Sequence, residues 1–197
     1  MTRKICFIYT DTNGLHKTND FVSSKNTYKF ARMIAIHYMV GTYYNDIFTK
    51  TLEKHHILKP DTIQFDEVAI KIHKITYEEA MKKGIESKII MNELKNDLSD
   101  VDIIVSFNAS FHIRAIQVEC MRTAISIIFN KMNVIDMASF GHSFEFPKFT
   151  DIIKHNNIDK KKTQLEQYKE LFFILYNSMK NTIKTKEIVN DDFGFVD

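Results

Sequence analysis

The chain has 197 residues, 44% of them hydrophobic, with 27 Lys and Arg against 25 Asp and Glu and a formal net charge of +2. That length and apolar content suit one sizeable core, and a single domain is expected. The near balance of charge excludes strong long-range attraction to nucleic acid, so any such binding would need a local patch. Two cysteines, Cys6 and Cys120, exclude a disulfide framework and read as buried thiols; no apolar run is long enough to span a membrane or to form the core of a leader, so a cytoplasmic or nuclear protein with no membrane partner is expected.

The first element is a strand through Phe7-Ile8-Tyr9-Thr10-Asp11, leading into Thr12-Asn13-Gly14-Leu15, where glycine allows close backbone approach. Phe30 to Tyr38 alternates like a half-buried strand, and Tyr43 to Leu52, after a turn at Gly41, reads as its partner. Leu58-Lys59-Pro60 then precedes Val68-Ala69-Ile70-Lys71-Ile72-His73-Lys74-Ile75-Thr76. Ile90, Leu94 and Leu98 recur at four-residue steps, the mark of a helix with one apolar face, before the buried-strand run Val101 to Val105. Asn108-Ala109-Ser110-Phe111-His112 follows, then a helical stripe of Ile116, Cys120, Ala124 and Ile127.

Val134-Ile135-Asp136 reads as the last strand, with Asp136 a helix cap, and Phe146 to Ile152 as a short helix. Leu165, Tyr168, Phe172, Leu175 and Met179 mark a C-terminal helix of about four turns. Scarce Gly and Pro argue against a long flexible linker. The weight of Ile, Lys, Asn, Phe and Tyr suits an A/T-rich genome, of which large DNA viruses are one source and many cellular organisms are others.

Taken in order, these stretches resemble the DEDD-type, DEDDh-like family of proofreading 3′–5′ exonucleases over most of the chain. The family's Asp-x-Glu-Thr-x-Gly-Leu is similar to Tyr9 to Leu15, its Ala-x-x-x-His-Gly-Ile-Thr to Ala69 to Thr76, and its Asn-Ala-x-Phe-Asp to Asn108 to His112. Its His-x-Ala-Leu-x-Asp-Ala is similar to Lys162 to Tyr168. The resemblance implies an α/β, RNase H-like exonuclease fold, with a central mixed five-stranded sheet flanked by helices, over residues 1–185, and a short acidic tail over 186–197.

It also places the family's five catalytic positions at Tyr9, Asp11, His112, Lys162 and Gln167, where only Asp11 remains an acid. Two divalent cations roughly 4 Å apart repel by about 17 kcal/mol even at an effective dielectric of ~20, and several carboxylates are needed to offset that. One aspartate beside a lysine cannot, so no cofactor is expected, with Mg or Mn only if an ion site has been rebuilt.

Each substitution has its own reading. Tyr9 could fill the space of the metals, stack on a base or simply pack. His112 could ligate a softer metal with Asp11 or be a hydrogen-bonded structural residue. Lys162 could set an ammonium in place of the metal charge, pairing with Asp11 or a phosphate, or belong to a solvated basic turn with Lys160 and Lys161.

The family's nucleotide groove would retain Thr12, Asn13, Gly14 and Leu15, with Asn108 and Phe111 beside it. The leading expectation is a catalytically degenerate exonuclease-like module that binds single-stranded DNA or RNA. A second is an active exonuclease in which Asp11, His112 and Glu119 or Asp136 hold a single ion. A third is a structural subunit with a protein partner in a replication, transcription or RNA-processing assembly. The last residues, with Asp191, Asp192, Phe193, Phe195 and Asp197, suit docking into a partner's groove.

Overall fold

The structure, a computed structural model, describes residues 2–61, 64–140 and 148–191. The chain divides into two compact units, Met1–Asp136 and Met137–Asp197. The first contains β1 (Arg3–Thr12), β2 (Met33–Tyr44), β3 (Ile47–Ile57), α1 (Glu67–His73), α2 (Tyr77–Lys83), α3 (Ser87–Asp97), β4 (Ile103–Ser106), α4 (Ala109–Thr123) and β5 (Asn133–Asp136). The strands form one mixed five-stranded sheet in the order β3-β2-β1-β4-β5. β1 is antiparallel to β2 and parallel to β4, and β5 runs parallel to β4. This is the expected α/β architecture, a mixed five-stranded sheet flanked by helices.

Alternation along β1 sends Cys6 and Ile8 to one face. There they join Ile36, Tyr38 and Val40 of β2, Ile104 of β4, Ile90, Met91 and Leu94 of α3, and Ile116 of α4 in one buried cluster. Fully burying a side chain of this size contributes about 1.5–3 kcal/mol, so this cluster dominates the unit's stability. Cys6 is fully buried, and Cys120 is half-buried, its thiol pushed up to about 11 by burial.

The β2–β3 hairpin departs from the sequence reading. Its turn lies at Asn45 and Asp46, with φ of 50° and 62°, where short polar side chains tolerate the left-handed region. Gly41 instead sits inside β2 at a β-bulge, where the pairing register shifts between Val40 and Gly41. A Cβ on Gly41 would stand 2.3 Å from Phe48 Cζ and 2.5 Å from the Thr49 carbonyl oxygen, so the glycine serves a close approach. Thr51, the extra residue in β3, ties the bulge by donating its hydroxyl to the Val40 carbonyl at 3.0 Å.

Helix α4 also ends earlier than its expected stripe. Ala124 takes a left-handed conformation (φ 55°) and donates its N–H to the Cys120 carbonyl, closing the helix before Ile127. Lys74, where the resembled family has glycine, caps α1 at φ 65°.

In the second unit, a 3-10 turn at Met137–Phe140 precedes α5 (Phe149–His155) and α6 (Gln164–Asp191). Leu165, Tyr168 and Phe172 are buried as the stripe predicts, whereas Met179 is 41% exposed. Phe146 and Pro147 of the expected short helix, and the tail from Asp192 to Asp197, lie outside the described residues. Among the described residues no helix is long and apolar enough to cross a membrane.

Candidate functional site

Strand β1 carries Tyr9 and Asp11 on one face, and pairing sets Tyr9 directly opposite His37 of β2. The two rings stack with centroids 4.5 Å apart and an interplanar angle of 14°. His37 Nε2–H donates to Asp11 Oδ2 at 3.0 Å. On its other side, His37 Nδ1 lies 2.9 Å from Nδ1 of His55, its cross-strand partner on β3. His55 Nε2–H in turn donates to Glu53 Oε1 at 3.1 Å, and Lys50 Nζ donates to Glu53 Oε2 at 2.7 Å. Burial acts to raise the Glu53 pKa, but the hydrogen bonds from Lys50 and His55 outweigh it and hold the carboxyl below its usual range.

The run Asp11, His37, His55, Glu53 thus has three hydrogen bonds between two acceptor-only ends. Two neutral imidazoles carry two protons, so three bonds require one proton more. Whatever the state of the bond between the two rings, Asp11 accepts from His37 and faces an imidazole.

His112 at the start of α4 lies across β1. Its Nδ1 accepts from the Thr10 backbone N–H at 3.0 Å and is equally close to the Thr10 hydroxyl. Accepting a backbone N–H fixes this nitrogen as unprotonated. Burial pushes the His112 pKa down to about 4, against smaller upward pulls from Asp11 and from backbone hydrogen bonds with Phe107 and Thr10. The residue is a neutral brace between β1 and α4.

The other two carboxylates weighed as ion ligands are engaged elsewhere. Glu119 is fully buried, accepting from Arg32 Nε at 2.7 Å and from the Ser87 hydroxyl at 2.9 Å. Asp136 caps α4, accepting from the backbone N–H groups of Asn108 and Ala109 at 2.8 and 2.9 Å. Its capping role was expected, on the helix after it; the cap described here is on α4. Asn108 holds a left-handed conformation at that cap (φ 62°), so it positions backbone. Among the described residues no group of three or more His, Cys, Asp or Glu side chains is placed to hold a metal ion.

Beside Asp11 opens a cavity of about 430 Å³ lined by Asp11, Thr12, Gly14, Leu15, Ile72, His73 and Phe111. The loop entering it is pinned. Thr12 donates its hydroxyl to the Gly14 carbonyl at 2.7 Å, and Asn13 Oδ1 accepts the Arg32 N–H at 2.7 Å while the Asn13 N–H donates to the Arg32 carbonyl at 2.9 Å. Leu15 is left 81% exposed on the rim. Phe111 stacks on His16 with centroids 4.3 Å apart and lines the cavity.

His73 Nδ1 accepts from the Ile75 N–H at 3.0 Å, which leaves the proton on Nε2. That buried Nε2–H has no hydrogen-bond partner among the described residues. Burial lowers the His73 pKa although Asp11 opposes the shift, so the ring offers a neutral donor.

Lys162 and Gln167 belong to the second unit. Lys162 pairs with Glu170 of α6, and buried Gln167 donates Nε2–H to the Asp159 carbonyl at 3.2 Å. Sequence reading missed His37, His55, Glu53 and the partnerless donor on His73. The histidines were visible, but the misplaced turn at Gly41 hid their pairing.

Several solved structures share this fold. E. coli exonuclease I in complex with a 5cy-dA13 oligonucleotide matches with a TM-score of 0.69 at 13% identity, over 89% of this chain and 40% of that one. Product-bound exonuclease I matches with a TM-score of 0.67 at 13% identity, over 89% of this chain and 43% of that one. Exonuclease I in an ExoI/SSB-Ct complex matches with a TM-score of 0.66 at 13% identity, over 88% and 40%. The chain therefore spans about two fifths of the length of these relatives in structure. No family model matches the chain, and no curated protein matches it.

Proposed function

We propose that this chain is a single-stranded nucleic-acid-binding module on an exonuclease fold, with metal-dependent cleavage lost. The observation that carries this reading is the contrast within one site. The cavity at the end of β1 is open, its entering loop is pinned, and Leu15 and Phe111 stand on its lining. The acid beside it, Asp11, is taken up by His37, which donates Nε2–H to Oδ2 at 3.0 Å.

The residues do not fit two hard divalent cations. Magnesium takes oxygen ligands, yet Tyr9 is stacked on His37, His112 Nδ1 accepts from backbone, Glu119 is bound to Arg32 and Asp136 caps α4. The protein's own chemistry at this site is recognition. Leu15 and Phe111 give apolar surface for a base, and pinned backbone at Asn13 and Gly14 allows close approach. Oligonucleotide-bound exonuclease I shares the fold, which supports the class of ligand.

The test is a time course on 5′-labelled single-stranded DNA and RNA with magnesium or manganese, alongside Asp11→Ala and a gel shift of the same strands. We expect no metal-dependent shortening and a shift that weakens as salt rises, because phosphate contacts release counterions. Shortening from the 3′ end that disappears in Asp11→Ala would restore the nuclease reading. Absence of both signals would direct the search to a protein partner.

A further inference from the structure

We infer that the connection between β1 and β2 carries a second stretch of single-stranded nucleic acid, over a cationic cavity next to the groove. This rests on the binding function proposed above and extends it along the strand. The second cavity, about 590 Å³, is lined by Leu15, Lys17, Tyr28, Lys29, Arg32 and Arg122 among others. It shares Gly14, Leu15 and Asp66 with the groove beside Asp11, so the two meet at Leu15.

The connection is held in shape. The Lys17 N–H donates to the Lys29 carbonyl at 2.8 Å. His16 is clamped at both nitrogens, Nδ1 accepting the Ala31 N–H and Nε2–H donating to the Phe111 carbonyl, each at 3.0 Å. Asn26 accepts from the Ser23 N–H at 2.8 Å and donates to the Phe21 carbonyl at 2.9 Å. Yet this ordered segment leaves Tyr28 at 77% and Phe21 at 94% exposure. Aromatic side chains bury large areas when they pack, and holding two of them in solvent, Tyr28 on the lining with Lys17 and Lys29, describes a surface built for stacking.

The charges decide the occupant. Asp66, the carboxylate on the lining, is committed to the N-terminus of α1, accepting the Val68 and Ala69 N–H groups. Arg32 and Arg122 are paired with Glu119 and Asp61. Asp20 reaches Lys29 only at 3.9 Å, an exposed pair of little worth. Lys17 and Lys29 therefore present positive charge along a path lined by Leu15 and Tyr28, with Phe21 farther along the segment. Two lysines and an exposed tyrosine on the lining of a cavity that adjoins the groove suit a phosphate-linked chain of bases.

The experiment is fluorescence anisotropy with two labelled oligothymidines, one of about 12 nucleotides that spans both cavities and a trinucleotide that fills the groove alone. The variant is Lys17→Ala/Tyr28→Ala/Lys29→Ala, all exposed or rim positions. We expect its affinity for the longer strand to fall on the order of tenfold or more and its salt slope to shrink by about 1–2, with the trinucleotide bound as by the unaltered protein. Unchanged binding of the longer strand overturns this inference and leaves the groove reading standing. An equal loss for both strands also overturns it, because the effect is then general charge. Failure of the unaltered protein to bind either strand overturns both.

Discussion

His112 shows how a single buried imidazole can couple two elements. The imidazole turns its accepting nitrogen to the Thr10 N–H of β1 and so becomes a strut. Its pKa near 4, against an ordinary 6.5, has a definite sign. The folded state holds the ring neutral while the unfolded chain takes up a proton, so the contribution is whole above pH 6.5, is lost as pH falls and levels off below 4. The span is about 3 kcal/mol. His112→Asn keeps an acceptor near the Nδ1 position without a titrating ring. The urea midpoint should therefore drop less between pH 7 and about pH 5 in the variant than in the parent. An equal acid loss in both would place the titration elsewhere.

At the scale of elements, the bulge at Gly41 governs the site. A plain hairpin turning at Asn45-Asp46 pairs Gly41 with Lys50, and continuing that register would set His37 opposite Lys54. The extra residue at Thr51 moves the pairing by one, so His37 meets His55 and the run from Asp11 to Glu53 can form. Gly41→Ala would drive a Cβ into the Thr49 carbonyl, which cannot swing aside as a side chain can. A stability loss of about 1–3 kcal/mol is expected, with the urea midpoint lowered. Asp46→Gly, at a position already in the left-handed region, should be neutral or mildly stabilising. A Gly41→Ala protein as stable as its parent would remove the bulge from this account. The sequence announced the hairpin and its glycine, but a glycine reads equally as turn or bulge until the neighbouring ring and carbonyl are in view.

For the whole molecule, a net charge of +2 provides little steering, so strand affinity should come from a few local contacts. A plot of log affinity against log salt is expected to have a slope of about −1 to −3, set by Lys17, Lys29 and little else. Anisotropy over a series of potassium chloride concentrations measures it. A slope near −10 would mean a far wider cationic footprint than these two lysines provide.

The order of apolar stripes and short motifs determined the class of fold, because a strand's alternation and a helix's four-residue step are local properties of the chain. It also marked Tyr9, Asp11 and His112 as the residues to examine, and Phe111 as a lining residue of the groove. Only the tertiary structure decided what they do. Whether Asp11 faces a metal or an imidazole depends on a partner 26 positions away, set by cross-strand register; whether Glu119 is a ligand or a buried counter-ion depends on Arg32, 87 positions away. Those pairings are consequences of packing, which no window of sequence contains.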